Sequence, residues 1–452
     1  MTATVAAAEV TRGLASWSAA YSPKHVTAQS ETWAKHALLD WFACTIAGAK
    51  EPLGDILAEE FKSGAGGAAT LIARGARASA HDAALVNGAA SHALDYDDVN
   101  QLMGGHPSAQ VAAAVLAIGE ALGKSGRDML TAFIAGYEVE CRLGEMGGGE
   151  HYELGFHATG TYGTFGATAG VARLLGLDAD KTSIALGIAA SQASGLKINF
   201  GTMTKPLHAG KAAMNGLMAA RLAARDFTAR GDAIEAPQGF VATQVPGFKA
   251  RAVRLDAKAP MAVESNLFKY HAACYLTHSS IEAIRELKRQ HNIGADDMKA
   301  MTLHVDPGHL KVCDIAEPKS GLEIKFAIRH LSGMALAGED TAALGTYSDA
   351  NATNKRFIAI RDRITLDTTP DPKRHRHGAT VSIELKDGRT LQVEHNVGVP
   401  AKDVKQQGEK LEAKFHALAE PVIGRAKTKT ALGLINRFEE LPNLKTLMEA
   451  VG

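Results

Sequence analysis

The sequence predicts a mainly α fold, in which a large all-helical domain made from both chain ends carries an inserted smaller α+β lid domain. Apolar residues recur at helical spacing through the first 225 residues and again from Lys402 to the end. Between these regions, apolar and polar residues alternate as they do in strands. A chain of 452 residues is too long for one ordinary core. The predicted domains are 1–265 with 400–452, and 266–399.

The helices of the larger domain follow from spacing and from end signals. Pro107 suits the first position of a helix, where its missing N–H costs nothing. Ser125 and Asp128 have the spacing of a capping box ahead of an apolar run. Glycines inside these helices are tolerable where they let neighbouring backbones approach. The predicted helices cover 30–48, 82–95, a segment from 107, 129–145, 160–175, 179–194 and 208–225.

The smaller domain is predicted from alternation. Apolar positions in 380–397 lead into Asp387-Gly388 and resume after it, which is the pattern of a hairpin. Further strands are expected at 301–307 and within 358–367. Helices are expected at 279–290 and 323–337.

Composition excludes several classes of protein. Forty-nine basic residues balance forty-nine acidic ones, so no basic face for nucleic acid is expected. No stretch of about eighteen apolar residues predicts a membrane span. The first residues make a poor signal peptide, and the four cysteines show no CxxC spacing. We therefore expect a soluble, cytoplasmic protein with reduced thiols and no disulfide framework.

The most informative stretch runs from His92 to Gln110. It places Asp95, Asp97 and Asp98 just before the dipeptide His106-Pro107, between Ala-rich helices. Charged groups are rarely fully buried unless they are paired or used. This stretch therefore predicts a functional site.

Three further polar segments stand out between apolar helices. His157 lies just ahead of a predicted helix N-terminus, where an anion would meet backbone N–H groups and the positive end of the helix dipole. Lys205 precedes a proline and His208 opens a helix, while His278 begins the first helix of the smaller domain. Each residue alone also fits a structural role, as a solvated charge, a helix-end group or a surface histidine.

Motifs for other chemistries are absent from the sequence. There is no HExxH and no His/Cys cluster at ligand spacing, and Asp95 with Asp97 lacks the other half of a calcium loop. There is also no GxSxG elbow, P-loop or GxGxxG fingerprint after a strand. We expect no metal and no cofactor, which leaves acid–base chemistry by His, Asp and Lys.

Together, the stretch from His92 to Gln110 and the three polar segments resemble the MmgE/PrpD family. Members of this family include dehydratases, decarboxylases and an epimerase of small polycarboxylates. The resemblance spans most of the chain and is carried by 93–100, 104–109, 155–178, 201–229, 275–283 and 319–339. It implies a homodimer without metal or organic cofactor that acts on a small polycarboxylate. It also implies the site residues: Asp95, His106, His157, Lys205 and His278 as catalytic groups, and Lys205, His208 and His106 as substrate ligands.

The sequence departs from the family at three places. Val99 stands where decarboxylase-like members have threonine, and Ala327 stands where serine is usual. Near Cys313 no tyrosine matches the aromatic hydroxyl of the decarboxylases. We therefore predict first a lyase of the dehydratase or hydratase type, which abstracts a proton α to a carboxylate. An epimerase of an amino- or imino-dicarboxylate such as iminodisuccinate, a cis-aconitate-type decarboxylase and a non-catalytic binding protein are the alternatives.

The predicted mechanism gives each residue a part. His157 is the first choice for the proton-transferring group, because imidazole titrates near neutral pH. Lys205, helped by His106 or His278, would hold the carboxylate and the developing charge. Asp95 would orient an imidazole or keep Lys205 charged.

Overall fold

The computed structural model describes residues 2–5, 9–62, 66–245, 253–256 and 259–452. The chain divides into two compact units, each described below by itself. The first, called the helical unit, consists of Met1–Asn199, Met203–Phe268 and Ala401–Gly452; the second, called the mixed unit, consists of Phe200–Thr202 and Lys269–Pro400. The predicted fold class, mainly α with a smaller α+β part, is confirmed. The domain boundaries predicted at 265/266 and 399/400 stay predictions.

The secondary structure of the described residues is dominated by helices. The α-helices are α1 Val10–Ala20, α2 Ala28–Gly48, α3 Pro52–Phe61, α4 Ala80–His92, α5 Pro107–Ala121, α6 Gly126–Gly147, α7 Glu150–Glu153, α8 Ala158–Leu175, α9 Ala179–Ala190, α10 Thr204–Ala223, α11 Phe240–Gln244, α12 His278–His291, α13 Gly321–Ile324, α14 Ile328–Ala337, α15 Asp349–Ala352, α16 Lys355–Arg361, α17 Val404–Ile423, α18 Arg425–Ile435 and α19 Lys445–Val451. Short 3-10 helices occupy Pro23–His25, Lys197–Asn199, Ala262–Ser265, Tyr275–Thr277, Pro307–Lys311, Leu344–Thr346 and Phe438–Glu440. The strands are β1 Thr2–Val5, β2 Ala69–Leu71, β3 Ala76–Ala78, β4 Val253–Asp256, β5 Met298–His304, β6 Ile364–Asp367, β7 Gly378–Leu385 and β8 Thr390–Asn396. Among the described helices, none is long and apolar enough to cross a membrane.

Local signals in the sequence set several helix ends. Pro107 is the first residue of α5, as predicted. The hydroxyl of Ser125 accepts a hydrogen bond from the N–H of Asp128 at 3.1 Å and caps α6. The other half of the predicted capping box differs, because the Asp128 carboxylate accepts a bond from the Ser125 hydroxyl at 2.7 Å. The Ser125 hydroxyl therefore bonds to both the backbone N–H and the side chain of Asp128.

Two predicted helix boundaries near the site are wrong. The helix expected over 82–95 is α4, which ends at His92. Asp95 has φ +50°, in the left-handed region where a helix cannot continue, so the chain turns there. The helix expected over 208–225 is α10, which begins at Thr204 and therefore holds Lys205 in its first turn. The signal for this earlier start was hidden by Pro206, which is tolerated in a first turn.

A close crossing of α4 and α10 brings the two site segments together. A Cβ on Gly88 would lie 3.0 Å from the Cα of Gly210, and a Cβ on Gly210 would lie 2.2 Å from the carbonyl oxygen of Leu85. Only glycine permits the backbones to approach so closely. The crossing lies one turn before the end of α4 and shortly after the start of α10. It therefore fixes the C-terminal end of α4 beside the N-terminal end of α10.

The mixed unit is built on a four-stranded sheet with the order β6-β5-β7-β8. β5 runs parallel to β6 and antiparallel to β7, and β7 pairs with β8 as the predicted hairpin around Asp387-Gly388. Gly388 has φ +90°, which the tight turn requires and which glycine adopts without strain. Alternate residues of β7 are buried, as the period of two predicts.

Two segments of the mixed unit differ from prediction. In 358–367 only Ile364–Asp367 is a strand, because the preceding residues complete α16 and bury Phe357 and Ile360 at helical spacing. The single helix predicted over 323–337 is broken into α13 and α14. The break lies at Ala327, which has φ −117° and ψ 78° and bridges to Asp314.

Candidate active site

The segment after α4 is buried, although it carries three carboxylates. Asp95, Asp97 and Asp98 are each 3% exposed or less. The simpler interpretation of Asp95 and Asp98 as solvent-exposed carboxylates at a helix end is therefore wrong. A buried carboxylate must be paired, hydrogen-bonded or protonated, since desolvation of an isolated charge is costly.

Lys205 and Asp95 form a buried ion pair. The Lys205 Nζ donates to Asp95 Oδ1 at 2.7 Å, and the two residues are 4% and 3% exposed. Lys205 was expected to lie in a loop, where a lysine is more often a solvated charge. Its place in the first turn of α10 and its burial exclude that interpretation. The predicted association of Asp95 with Lys205 is thus present in the structure.

His106 lies between two carboxylates. Its Nε2 is 3.6 Å from Asp95 Oδ1, and its Nδ1 is 3.3 Å from Asp97 Oδ2. His106 is the N-cap residue of α5, yet its side chain makes no capping bond. Instead Ser108, in the first turn of α5, donates its backbone N–H to Asp98 at 3.3 Å. The ring of His106 therefore faces the acids and does not serve the helix end.

His157 is the second imidazole at a helix N-terminus. It is the N-cap of α8, without a side-chain capping bond, and its Nδ1 lies 3.0 Å from Nδ1 of His208. Gly195 accepts the backbone N–H of His157 at 2.9 Å, and a Cβ there would lie 3.2 Å from the His208 ring. The φ of Gly195 is +147°, so glycine is needed at this position for two reasons.

Both of these imidazoles are neutral at neutral pH. Burial lowers the pKa of His157 well below its usual range, and the positive charge of Lys205 lowers it further. Burial lowers the pKa of His208 to about 4, and the positive charge of Lys205 is the second, smaller cause. A neutral imidazole has one donor and one acceptor nitrogen, so one Nδ1 of the pair carries the proton and the other accepts it.

Asp98 differs from its neighbours in protonation. Burial raises the pKa of Asp98 to about 8, and the nearby charge of Asp40 adds to this, against the effect of a hydrogen bond from Ser108. The Asn266 amide donates to the same carboxyl group at 2.6 Å. Asp98 is therefore a neutral hydrogen-bonding group at neutral pH, and it braces the segment without adding charge.

Sequence reasoning left His92 out of the candidate site and gave Asp97 no role. His92 is the last residue of α4 and is fully buried, and its ring centroid lies 4.4 Å from that of His106 and 5.7 Å from that of His157. The available signal was the nearness of His92 to Asp97, its partner five residues later across a helix end. That spacing alone does not tell a site residue from a structural one.

His278 belongs to the mixed unit, so the structure does not group it with the residues above. It is the first residue of α12, and its ring lies 4.8 Å from the ring of His271 and 5.0 Å from that of Tyr275. His278 is 2% exposed, which excludes the interpretation as a surface histidine. Lys269 of the same unit is also fully buried.

Four side chains of the cluster could in principle hold a metal ion. His92, Asp95, Asp97 and His106 place donor atoms within 4.8 Å of one another. Both carboxylates already have partners, since Asp95 binds the Lys205 ammonium and Asp97 accepts from His92. Because Lys205 already supplies the positive charge that balances Asp95, we assign no ion to the cluster.

The three departures from the family pattern are placed as follows. Val99 exchanges backbone hydrogen bonds with Leu267 at 2.8 and 2.9 Å. Ala327 and Cys313 are both fully buried in the mixed unit. Burial raises the pKa of the Cys313 thiol, so this cysteine is not a thiolate nucleophile at neutral pH.

Comparison with known proteins extends across both units. Residues 12–252 match the model of the MmgE/PrpD N-terminal domain, and residues 271–440 match that of the MmgE/PrpD C-terminal domain. The chain is similar to the cis-aconitate decarboxylases of Mus musculus and Homo sapiens, each 27% identical over 81% of this chain and over 77% and 78% of the relative's length. It is also similar to the cis-aconitate decarboxylase of Aspergillus terreus, with 24% identity over 98% of this chain and 96% of that protein. The two domain matches together cover most of the sequence, and the chain belongs to the MmgE/PrpD family.

Proposed function

We propose that the protein is a cofactor-independent lyase that acts on a small di- or tricarboxylate by moving a proton at a carbon α to a carboxylate. The observation that carries this proposal is the buried Lys205–Asp95 ion pair next to His106. Such a cluster provides a cation for carboxylate oxygens and imidazoles for protons in a place with little water. The relatives from Mus musculus and Aspergillus terreus are named cis-aconitate decarboxylases, and these names support a tricarboxylate substrate.

Lys205 is assigned to the developing negative charge. A C–H bond next to a carboxylate is very weakly acidic, and its removal places charge on the carboxylate oxygens. A fixed ammonium in a desolvated site stabilises that charge far more than it would in water. Asp95 keeps the ammonium in place through its 2.7 Å hydrogen bond.

His157 is assigned to proton transfer. Its neutral ring can accept a proton at neutral pH, and His208, at 3.0 Å from its Nδ1, holds the orientation of the ring. The depressed pKa makes His157 a weak base in the empty site. A bound polycarboxylate brings negative charge that favours the protonated ring, so substrate binding itself raises the basicity of His157.

Dehydration or hydration is our first choice of reaction, and decarboxylation of cis-aconitate is the second. The second is favoured by the similarity to proteins named cis-aconitate decarboxylases. The first is favoured by the loss of hydroxyl groups: Val99 replaces the threonine of decarboxylase-like members, Ala327 replaces the usual serine, and no tyrosine near Cys313 matches the decarboxylase hydroxyl. His278 remains a proposed catalytic residue on the resemblance alone, as do the homodimer and the cytoplasmic location.

The proposal is tested by a panel of substrates in deuterated water. Citrate, 2-methylcitrate, cis-aconitate, malate and iminodisuccinate are each incubated with the protein, and products are followed by NMR and mass spectrometry. Gain or loss of water supports the first choice, and release of carbon dioxide supports the second. Deuterium at an inverted carbon without an alkene would identify an epimerase and contradict the lyase. Binding without any product would contradict catalysis.

A matched pair of variants ties the activity to the site. Lys205→Met removes the ammonium, while Lys211→Met removes a half-buried lysine on the same helix, α10. We expect loss of turnover in the first variant and retention in the second. Equal turnover in both would contradict the assignment of Lys205.

A further inference from the structure

His92 and Asp97 form a buried imidazole–carboxylate pair that the proposed mechanism does not use. The Nδ1 of His92 lies 2.9 Å from each carboxylate oxygen of Asp97. His92 is 0% exposed and Asp97 is 1% exposed. The pair connects the last residue of α4 with the turn that follows it, so it is short-range and rigid.

The pair fixes where the His92 proton lies. Burial works against ionisation of Asp97, but contacts with His92 and His106 lower the pKa of this carboxyl well below its usual range. Burial lowers the pKa of His92 to about 3, although Asp97 opposes the change. An ionised carboxylate only accepts hydrogen bonds, and a neutral imidazole has a single N–H. The N–H of His92 is therefore on Nδ1, and Nε2 carries a lone pair.

The Nε2 atom of His92 is buried and has no hydrogen-bond partner among the described residues. Buried polar atoms are nearly always paired in native proteins, and an exception calls for an explanation such as a bound ligand. The ring lies against those of His106 and His157, which are both assigned to the reaction. An acceptor without a donor thus lies within the cluster that is proposed to bind substrate.

We propose that His92, held by Asp97, is a specificity-determining residue that accepts a hydrogen bond from a hydroxyl group of the substrate. The inference rests on the proposed function and narrows its substrate class to hydroxy-di- and tricarboxylates. The lone pair on Nε2 of His92 repels carboxylate oxygens. An analogue that lacks the hydroxyl leaves this nitrogen without a hydrogen-bond donor. A site built to bond a hydroxyl rejects such an analogue strongly. Asp97 acts as a positioning residue, since it sets the tautomer without touching the substrate.

The test compares ligands that differ only in a hydroxyl group. Citrate is paired with propane-1,2,3-tricarboxylate and malate with succinate, and dissociation constants are measured by calorimetry. We expect the hydroxy acid of at least one pair to bind about 10- to 100-fold more tightly to the parent protein. If neither hydroxy acid binds more tightly than its deoxy analogue, the inference is wrong. The dissociation constants do not depend on turnover. The hydroxyl preference can therefore be absent while the lyase proposal stands, or present while the substrate panel yields no product.

Three variants separate the acceptor from its structural surroundings. In His92→Asn the amide can still donate to Asp97, but the Nε2 acceptor is lost, so the hydroxyl preference should disappear in a folded protein. In Asp97→Asn the new amide can donate to Nδ1 of His92 and reverse the tautomer, which should also abolish the preference. Asp98→Asn is the matched control, because Asp98 is already a neutral hydrogen-bonding group.

The tautomer is read directly by ¹⁵N NMR of histidine-labelled protein. We expect His92 to give the signature of a proton on Nδ1 in the parent protein and in Asp98→Asn, and of a proton on Nε2 in Asp97→Asn. A His92→Asn variant that keeps the full hydroxyl preference would overturn the role of Nε2. A parent protein with the proton on Nε2 would overturn the role of Asp97.

Discussion

The helical unit contains two buried lysine–aspartate pairs that look alike and have different surroundings. Lys205 Nζ lies 2.7 Å from Asp95 Oδ1, and Lys414 Nζ lies 2.6 Å from Asp40 Oδ1. All four residues are 6% exposed or less. Burial of an ion pair is therefore not by itself a mark of a catalytic site in this protein.

The second pair is enclosed by fixed contacts. Lys414 also donates to the carbonyl oxygen of Tyr96 at 2.6 Å and lies 4.0 Å from the centre of the Tyr96 ring. Burial alone would lower the pKa of Lys414, but the charge of Asp40 outweighs it and the pKa is raised above its usual range. This lysine stays charged and connects α17 to the turn that carries Asp95.

The first pair is enclosed by groups that can exchange protons. His106 lies 3.6 Å from the same oxygen of Asp95, and Lys205 lowers the pKa values of His157 and His208. A lysine among imidazoles can serve a reaction, whereas a lysine between a carboxylate, a carbonyl and an aromatic ring serves the fold. The surroundings of a buried pair therefore indicate its role better than its geometry does.

The largest difference is expected when each pair is replaced by a neutral one. Lys205→Met alone would leave Asp95 buried without its partner and destabilise the fold. Adding Asp95→Asn removes that charge, so the double variant should be stable but still inactive. We expect kcat/KM to fall by about 10²–10³ or more, the scale of losing one electrostatic stabiliser. Kinetics on the substrate found by the panel measure this. Turnover near that of the parent protein would remove Lys205 from the reaction.

The Lys414 pair should respond in the opposite way. Lys414→Met alone leaves Asp40 buried without its partner, so the free energy of unfolding should fall by about 3–5 kcal/mol. Adding Asp40→Asn should recover most of it, and turnover should stay within about tenfold because Lys414 only positions the Tyr96 carbonyl. Urea denaturation and kinetics on the same samples measure both quantities. If the double variant is as inactive as the neutral Lys205 pair, the distinction between the pairs is wrong.

A smaller effect distinguishes Asp98 from the ionised acids beside it. Its pKa is raised from 3.8 in an ordinary carboxyl group to about 8. Between these values the folded chain holds a proton that the unfolded chain has lost, so stability falls as pH rises through this window. Asp98→Asn cannot titrate and should lack this slope, by up to about 1.4 kcal/mol per pH unit.

Urea denaturation at pH 6.5 and pH 8 tests this slope. The histidines with lowered pKa values change the free energy of unfolding only below that range. The stability of Asp98→Asn relative to the parent protein should increase from the lower to the higher pH. Parallel behaviour of the two proteins would contradict a protonated Asp98. Turnover of the variant should change little.

Part of the fold was open to prediction, because helix periodicity and helix caps are local properties. Ser125 begins α6 and Pro107 begins α5 from signals that lie within a few residues. The boundaries that failed depend on tertiary contacts. Asp95 leaves the helix in a left-handed conformation that no local pattern demands, and its ion pair with Lys205 accompanies it.

The site was predicted only where it stands out from its sequence context. Asp95, His106, His157, Lys205 and His208 are polar residues in apolar segments, and the structure brings them together in the helical unit; their catalytic roles stay predictions. His92 was missed because the sequence does not show that its ring is fully buried and paired with Asp97. Lys414 was missed because its partners lie more than 300 positions away in the chain.

The fold class and the positions of most helices were predictable from the sequence alone, because periodicity and helix-end signals lie in neighbouring residues. The family followed from the resemblance carried by the polar segments. The tertiary structure decided which charges meet. The glycine crossing of α4 and α10 sets Lys205 beside Asp95, and the return of α17 sets Lys414 beside Asp40. Protonation followed from the same packing, since only burial makes His92 and His157 neutral and keeps a proton on Asp98.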